Sequence, residues 1–167
     1  MYIRPEELKD YFSVYNLNAS AFETCAEAEL VERLRKEAHP VISLVSVENE
    51  VIVGHILFSP VTLTGNLDLK IMGLGPMAVT PLHQGKGIGS ALVRAGLQEC
   101  TSNEYGAVVV LGHTWFYPRF GFKPSVEYGI QSEYDVPEDV FMLLELQPGY
   151  LQGAKGTIRY HPAFNNV

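Results

Sequence analysis

Three glycines in five residues, Gly85, Gly87 and Gly89, stand between a short apolar run and a helix-periodic stretch in Pro76-Met-Ala-Val-Thr-Pro-Leu-His-Gln-Gly-Lys-Gly-Ile-Gly-Ser-Ala-Leu-Val93. The first turn of a helix leaves N–H groups without partners, and the aligned peptide dipoles put about half a positive charge there. Glycines bring the main chain close to phosphate oxygens with no Cβ in the way, and they tolerate positive φ. Strand, glycine-rich turn and helix N-terminus in that order predict an anion site suited to a phosphorylated ligand.

The spacing narrows the ligand. The nucleoside triphosphate loop Gly-x4-Gly-Lys-Ser/Thr is absent, because Lys86 lies between Gly85 and Gly87, before the helix. The dinucleotide pattern Gly-x-Gly-x-x-Gly fails too: its third glycine is Ser90 when counted from Gly85 and Leu92 when counted from Gly87. What remains is Gln84-x-x-Gly87-x-Gly89 directly after Met77-Ala78-Val79. This resembles the GNAT N-acetyltransferase superfamily, in the small bacterial N-acetyltransferase type, whose Gln/Arg-x-x-Gly-x-Gly/Ala motif cradles the pyrophosphate of acetyl-CoA. The resemblance implies that Gln84, Gly85, Lys86, Gly87, Ile88, Gly89 and Ser90 surround the pyrophosphate. It also implies that the backbone of Met77, Ala78 and Val79 pairs with the pantetheine arm and polarises the thioester carbonyl. Lys86 either adds a flexible charge or sits in solvent. His83 reads as a surface residue.

About thirty residues on, Trp115-Phe-Tyr-Pro-Arg-Phe-Gly-Phe122 resembles the Tyr-x-x-x-Gly-Phe of the same superfamily, with Tyr117, Gly121 and Phe122 in step. The resemblance implies that Tyr117 protonates the departing thiolate. A phenol with a pKa near 10 is well matched to that transfer. Two departures bear on the base. Leu69–Val79 lacks the carboxylate that some members carry there, and His113 and Thr114 stand where others have an asparagine. His113 is the candidate base, since an imidazole accepts a proton near neutrality. Direct attack by an already neutral amine is the alternative. His55, inside an apolar strand, reads as a core histidine, and His161 as an outside candidate for the acceptor site.

Elements to position these residues are visible along the chain. Met1–Pro5 reads as a short strand, Glu6–Phe22 as a weak helix with Leu8, Phe12, Tyr15 and Ala19 on one face, and Thr24 onward as a stronger helix. Thr24 and Glu27 are spaced as a capping box, ahead of Leu30, Val31 and Leu34. Val41–Val47 and Val51–Phe58 predict a hairpin. Leu69–Val79 predicts a strand made irregular by Gly73, Gly75 and Pro76. Ile88, Ala91, Leu92 and Ala95 give the following helix its apolar stripe. Ala107–Leu111 is a buried strand that closes a right-handed βαβ unit, with His113 and Tyr117 just past its C-terminal end. Phe141–Leu146 and a short strand near Thr157–Tyr160 complete the pattern. With the resemblance, the expected fold class is mixed α/β (α+β): a mostly antiparallel sheet, a parallel pair splayed at the acetyl-CoA site and helices on both faces, in a single domain over residues 1–167.

Composition bounds the function. With 47% apolar and 19% charged residues the chain is globular, and a net charge of −7 argues against nucleic acid and anionic membrane as partners. Cys25 and Cys100 lack metal-ligand or disulfide-framework spacing. No run approaches the ~18 apolar residues of a membrane span, nor does the N-terminus read as a leader. The expectation is a cytoplasmic, metal-free acyltransferase that moves an acetyl group from acetyl-CoA to a small-molecule or peptide amine. A homodimer is allowed, and a non-catalytic acyl-CoA sensor is the alternative. Phe22, Trp115, Phe116 and Tyr160 are the aromatics expected near its cleft, with packing in the core the more ordinary role of each.

Overall fold

The computed structural model describes residues 1–167 and orders the chain as β1 (Tyr2–Pro5), α1 (Tyr11–Ala21), α2 (Ala26–Glu37), β2 (Ile42–Glu48), β3 (Val51–Leu63), β4 (Ile71–Val79), α3 (Ile88–Ser102), β5 (Ala107–Leu111), β6 (Lys123–Pro124), β7 (Ile130–Ser132), β8 (Phe141–Glu145) and β9 (Gly156–Arg159). The strands join in the order β1-β2-β3-β4-β5-β8-β6. Along this path every pairing is antiparallel except β4 with β5. At the far end of β3, β9 pairs Leu63 with Ile158, and β7 runs parallel to β9. This is the mostly antiparallel mixed sheet that the resemblance implies, with the expected parallel pair β4–β5 and a second, short one, β7–β9.

Period-two alternation in β3 sends its side chains to two cores. Ile56 and Phe58 meet α3 through Leu92 and Val93, together with Met72 and Leu74 of β4 and Val108 and Val110 of β5. Gly96 lets α3 settle on the sheet, since a Cβ there would overlap the Phe58 ring. On the opposite face Leu57 packs with Val14 of α1 and with Leu30, Val31 and Leu34 of α2. Farther along that face, Val61, Ile71 and Val109 pack with Ile158 and Tyr160.

The weak first helix differs most from its expected form. Leu8–Asp10 is a 3-10 turn, and Leu8 and Phe12 are 79% and 78% exposed, while Val14, Leu17 and Asn18 face the core. The inward asparagine explains the misread face. Asn18 Nδ2 donates to Val14 O at 3.1 Å and to His55 Nδ1 at 3.2 Å. The other ring nitrogen of His55 then donates to Ser43 Oγ at 2.9 Å, and Ser43 donates to Glu6 Oε1 at 2.8 Å. Glu6 is clamped by Arg35 of α2, Nη2 to Oε2 at 2.7 Å. One hydrogen-bonded chain thus ties α1, β3, β2 and α2 together, and His55 is the satisfied core histidine its position predicts. At the start of α2 the expected capping box does not form. Cys25 is the N-cap, and Thr24 Oγ1 accepts only from Ala26 N at 3.1 Å. Nothing returns from the Glu27 carboxylate.

Burial pushes the His55 imidazole down to about 3. The unfolded chain takes up that proton near 6.5, whereas the folded chain does not until about 3. The stabilisation is therefore complete above 6.5 and is lost as pH falls, at about 1.4 kcal/mol per unit. Asp10, held low by its hydrogen bond from Arg4, adds its own loss only within the carboxylate range. Urea unfolding should lose stability at close to that slope between pH 6 and pH 5, and His55→Gln should flatten it. An equal slope in both proteins would assign the loss to other groups.

Candidate active site

Parallel pairing between β4 and β5 runs from Ile71 with Ala107 to Leu74 with Val110 and stops there. The cause lies on the other edge of β4. Between the partners Ile56 and Phe58, β3 has one residue, while β4 fits both Gly75 and Pro76 between Met77 and Leu74. That extra residue is a bulge, which bends its strand. Gly75 takes φ +146°, a conformation few other residues accept, and Pro76 brings no N–H. Past the bulge β4 leaves β5, and a cavity of about 680 Å³ opens there. Leu74–Met77 and Val79 form one wall, and Val110–His113 the other. The cavity reaches from the α3 face of the sheet to Phe22, Glu27 and Leu30 on the opposite face.

At the α3 end lies the glycine loop. After a 3-10 turn at Pro81–His83, Gln84 Nε2 donates to Val79 O at 3.0 Å and ties the loop back to its strand. Gly85 and Gly87 are left-handed, at φ +78° and +84°, and Gly87 is the N-cap of α3. No atom lies within 4 Å of where a Cβ would stand on either, so no packing contact explains glycine at these positions. The backbone N–H groups from Gly85 through Ser90 donate to no acceptor in the chain. Consecutive free N–H groups at a helix start form a positive concavity shaped for an anion.

Of the residues that the resemblance assigns to the cofactor, Met77, Val79, Gln84, Gly85, Gly87, Ile88, Gly89 and Ser90 lie in the cavity wall. Two expected residues lie outside it. Lys86 is an exposed loop residue without an ion pair. Ala78 pairs in register with His55, so its side chain is buried on the α1 face of the sheet. His83 belongs to the wall rather than the open surface, bonded through Nδ1 to Thr80 Oγ1 at 2.8 Å and 3.6 Å from Glu48.

Past β5 the chain turns sharply at Gly112, against which the Tyr117 ring lies so closely that a Cβ there would overlap it. Phe116 and Phe122 meet Tyr117 edge-on, with ring centroids 5.0 and 5.7 Å away. These contacts fix the ring of a residue that is 7% exposed. No group of the chain hydrogen-bonds its hydroxyl, and burial alone pushes the phenol up to about 12. His113 stacks on Trp115 with centroids 5.3 Å apart, and both line the cavity. Trp115 is 69% exposed, at the cavity's rim. The aromatics expected near the cleft, Phe22, Trp115, Phe116 and Tyr160, all line it. His161 does not: its Nδ1 accepts from Ala163 N at 3.0 Å and caps the last turn. The wall also holds Glu27, Arg119, Tyr134 and Phe164, which no motif singles out. Glu27 reads by its spacing as a capping residue, and around Tyr134 no regular pattern points inward.

A model of the GNAT acetyltransferase domain matches residues 2–125. The uncharacterized N-acetyltransferase YhbS of Escherichia coli K12 is 34% identical over 166 residues, 99% of each chain. The uncharacterized N-acetyltransferase YjhQ of the same strain is 35% identical over 153 residues, 86% of this chain and 84% of that one. The crystal structure of E. coli YhbS in complex with CoA superposes with a TM-score of 0.93 at 33% identity, covering 98% of this chain and 91% of that one. A GNAT family acetyltransferase of Brucella melitensis in complex with acetyl-CoA gives 0.80 at 32% identity, covering 98% and 97%. The chain belongs to the GNAT family and is an acetyltransferase.

Proposed function

We propose that this enzyme transfers the acetyl group of acetyl-CoA to an amine, with the donor's pyrophosphate on the free N–H groups of Gly85–Ser90. The observation that carries the reading is that row of unpaired donors beside the gap between β4 and β5. Solved relatives at 33% and 32% identity, one with CoA and one with acetyl-CoA, support the donor. Beyond Leu74 the edge of β4 that faced β5 has no strand partner. The amides of a pantetheine arm lying in the gap would complete it. A main-chain N–H turned toward the thioester carbonyl would contribute roughly 3 kcal/mol to the transition state.

Attack by the amine nitrogen forms the amide bond as the carbon–sulfur bond breaks, leaving a thiolate to be protonated. Tyr117 supplies that proton. With its phenol near 12 it is fully protonated at working pH, and a thiolate forming in the same apolar pocket is made more basic by the same desolvation. His113 takes the proton that the amine nitrogen sheds, directly or through water.

Calorimetry and thiol-release kinetics test these roles. Gly87→Glu places a strained, negatively charged side chain at the anion site and should abolish acetyl-CoA binding. Unchanged affinity would put the donor elsewhere. Tyr117→Phe should lower kcat by roughly 10²–10⁴-fold with little change in acetyl-CoA affinity. A kcat within about twofold of the parent would remove Tyr117 from the chemistry. His113→Ala should lower kcat/KM by roughly 10²–10⁴-fold with acetyl-CoA affinity unchanged. A kcat/KM close to that of the parent would give the base role to another group.

A further inference from the structure

The cavity is electrically lopsided. Its anion-binding loop and its basic side chains, His83, His113 and Arg119, belong to the segments that follow β4 and β5. At the opposite end, Glu27 is the only carboxylate side chain in the wall. It stands one helical turn before Leu30, half-buried, released from the capping role its spacing predicts, and it makes no hydrogen bond or ion pair. Around it the wall is apolar and aromatic: Phe22, Leu30, Tyr134 and Phe164.

A second observation comes from Tyr160. Its ring packs over Gly73, where a Cβ would meet the ring at 2.9 Å, and lies 5.0 Å from the Phe164 ring centroid. Tyr160 is 7% exposed, and its hydroxyl is buried without any hydrogen-bond partner. A buried hydroxyl left unpaired is costly, so such groups mark places where a partner is expected to arrive. Gly73 is two residues before the bulge, which sets Tyr160 at the floor of the gap, on the face of the sheet away from α3.

We propose that this end of the cavity is the acceptor subsite, and that it takes the ammonium form of an amine carried on a compact aromatic or alkyl body. The proposal rests on the transferase reading above and names its substrate class. Glu27 pairs with the ammonium, the Tyr160 oxygen accepts one of its N–H bonds, and Phe22, Leu30, Tyr134 and Phe164 enclose the carbon skeleton; the ammonium gives one proton to solvent as the neutral nitrogen leaves Glu27 for the thioester, and His113 takes the second when the amide forms. Charge works as a filter here. An acceptor with its own carboxylate beside the amine meets Glu27 with a like charge, and a highly polar acceptor loses hydration against aromatic walls without recompense.

Binding separates this claim from catalysis. Calorimetric titrations of 2-phenylethylamine and of phenylalanine into enzyme saturated with CoA compare two ligands with the same ring and amine that differ by one carboxylate. The amine without the carboxylate should bind at least tenfold more tightly. Glu27→Gln should bring the ratio close to one, mainly by weakening 2-phenylethylamine, with CoA affinity unchanged. Tyr160→Phe removes an oxygen that has no partner in the free chain, so it should weaken the amine without lowering the melting temperature. Equal binding of the two ligands to the parent, or a preference that survives Glu27→Gln, would overturn the proposal. Selective binding of 2-phenylethylamine without thiol release when acetyl-CoA replaces CoA would support the subsite and count against the transfer reading.

Discussion

The end of the parallel pairing between β4 and β5 is the constraint on which the rest of the site depends. The strands share four register pairs and part after Leu74 and Val110, because β4 carries one more residue than β3 opposite Leu57. A single inserted residue thus converts the middle of a sheet into a gap without breaking the sheet. On the β3 side β4 stays paired out to Val79 with Gly54, so the strand keeps a rigid support while its other edge is freed. The buried faces hold the bend in place, with Phe58 and Leu92 on one side and Leu57 and Leu34 on the other.

Everything placed around the gap inherits its position from that bend. The loop that follows β4 is tied to it by Gln84, and it enters α3 through two left-handed glycines, so its free N–H groups gather beside the opening. On the other strand, Gly112 brings the chain round and seats the Tyr117 ring against its own backbone. The hydrogen-bonded chain through Asn18, His55, Ser43 and Glu6 fixes α1 and α2 on the far face. That face carries Glu27 and Phe22 to the cavity's other end. One end of the space carries the free N–H groups of the loop and the other the Glu27 carboxylate.

Much of this was legible because local rules set it. Glycines entering a helix after a strand identify the loop with no knowledge of the tertiary fold, and Gly75-Pro76 within an apolar run predicts an irregular strand. The Tyr-x-x-x-Gly-Phe spacing places Tyr117 just beyond β5, as found. The features that local rules leave open depend on contacts distant in sequence. Asn18 faces the core only because His55 waits there 37 positions away, so apolar periodicity gives α1 the wrong face. Glu27 satisfies a capping pattern on paper, while the helix starts at Ala26 with another cap. Tyr134 and Phe164 reach the cavity by way of β7 and β9, short strands whose pairing with each other and, through β9, with the end of β3 has no local signal.

The central claim, that free backbone N–H groups at the start of α3 hold the donor's phosphates, is tested most directly by observing those amides. In ¹⁵N–¹H correlation spectra recorded during a CoA titration, the amides of Gly85 to Ser90 should show the largest downfield shifts and become the most protected against hydrogen exchange. A titration with inorganic pyrophosphate should move the same set. Saturation with CoA that leaves those amides unshifted and unprotected, while perturbing another surface, would contradict the account.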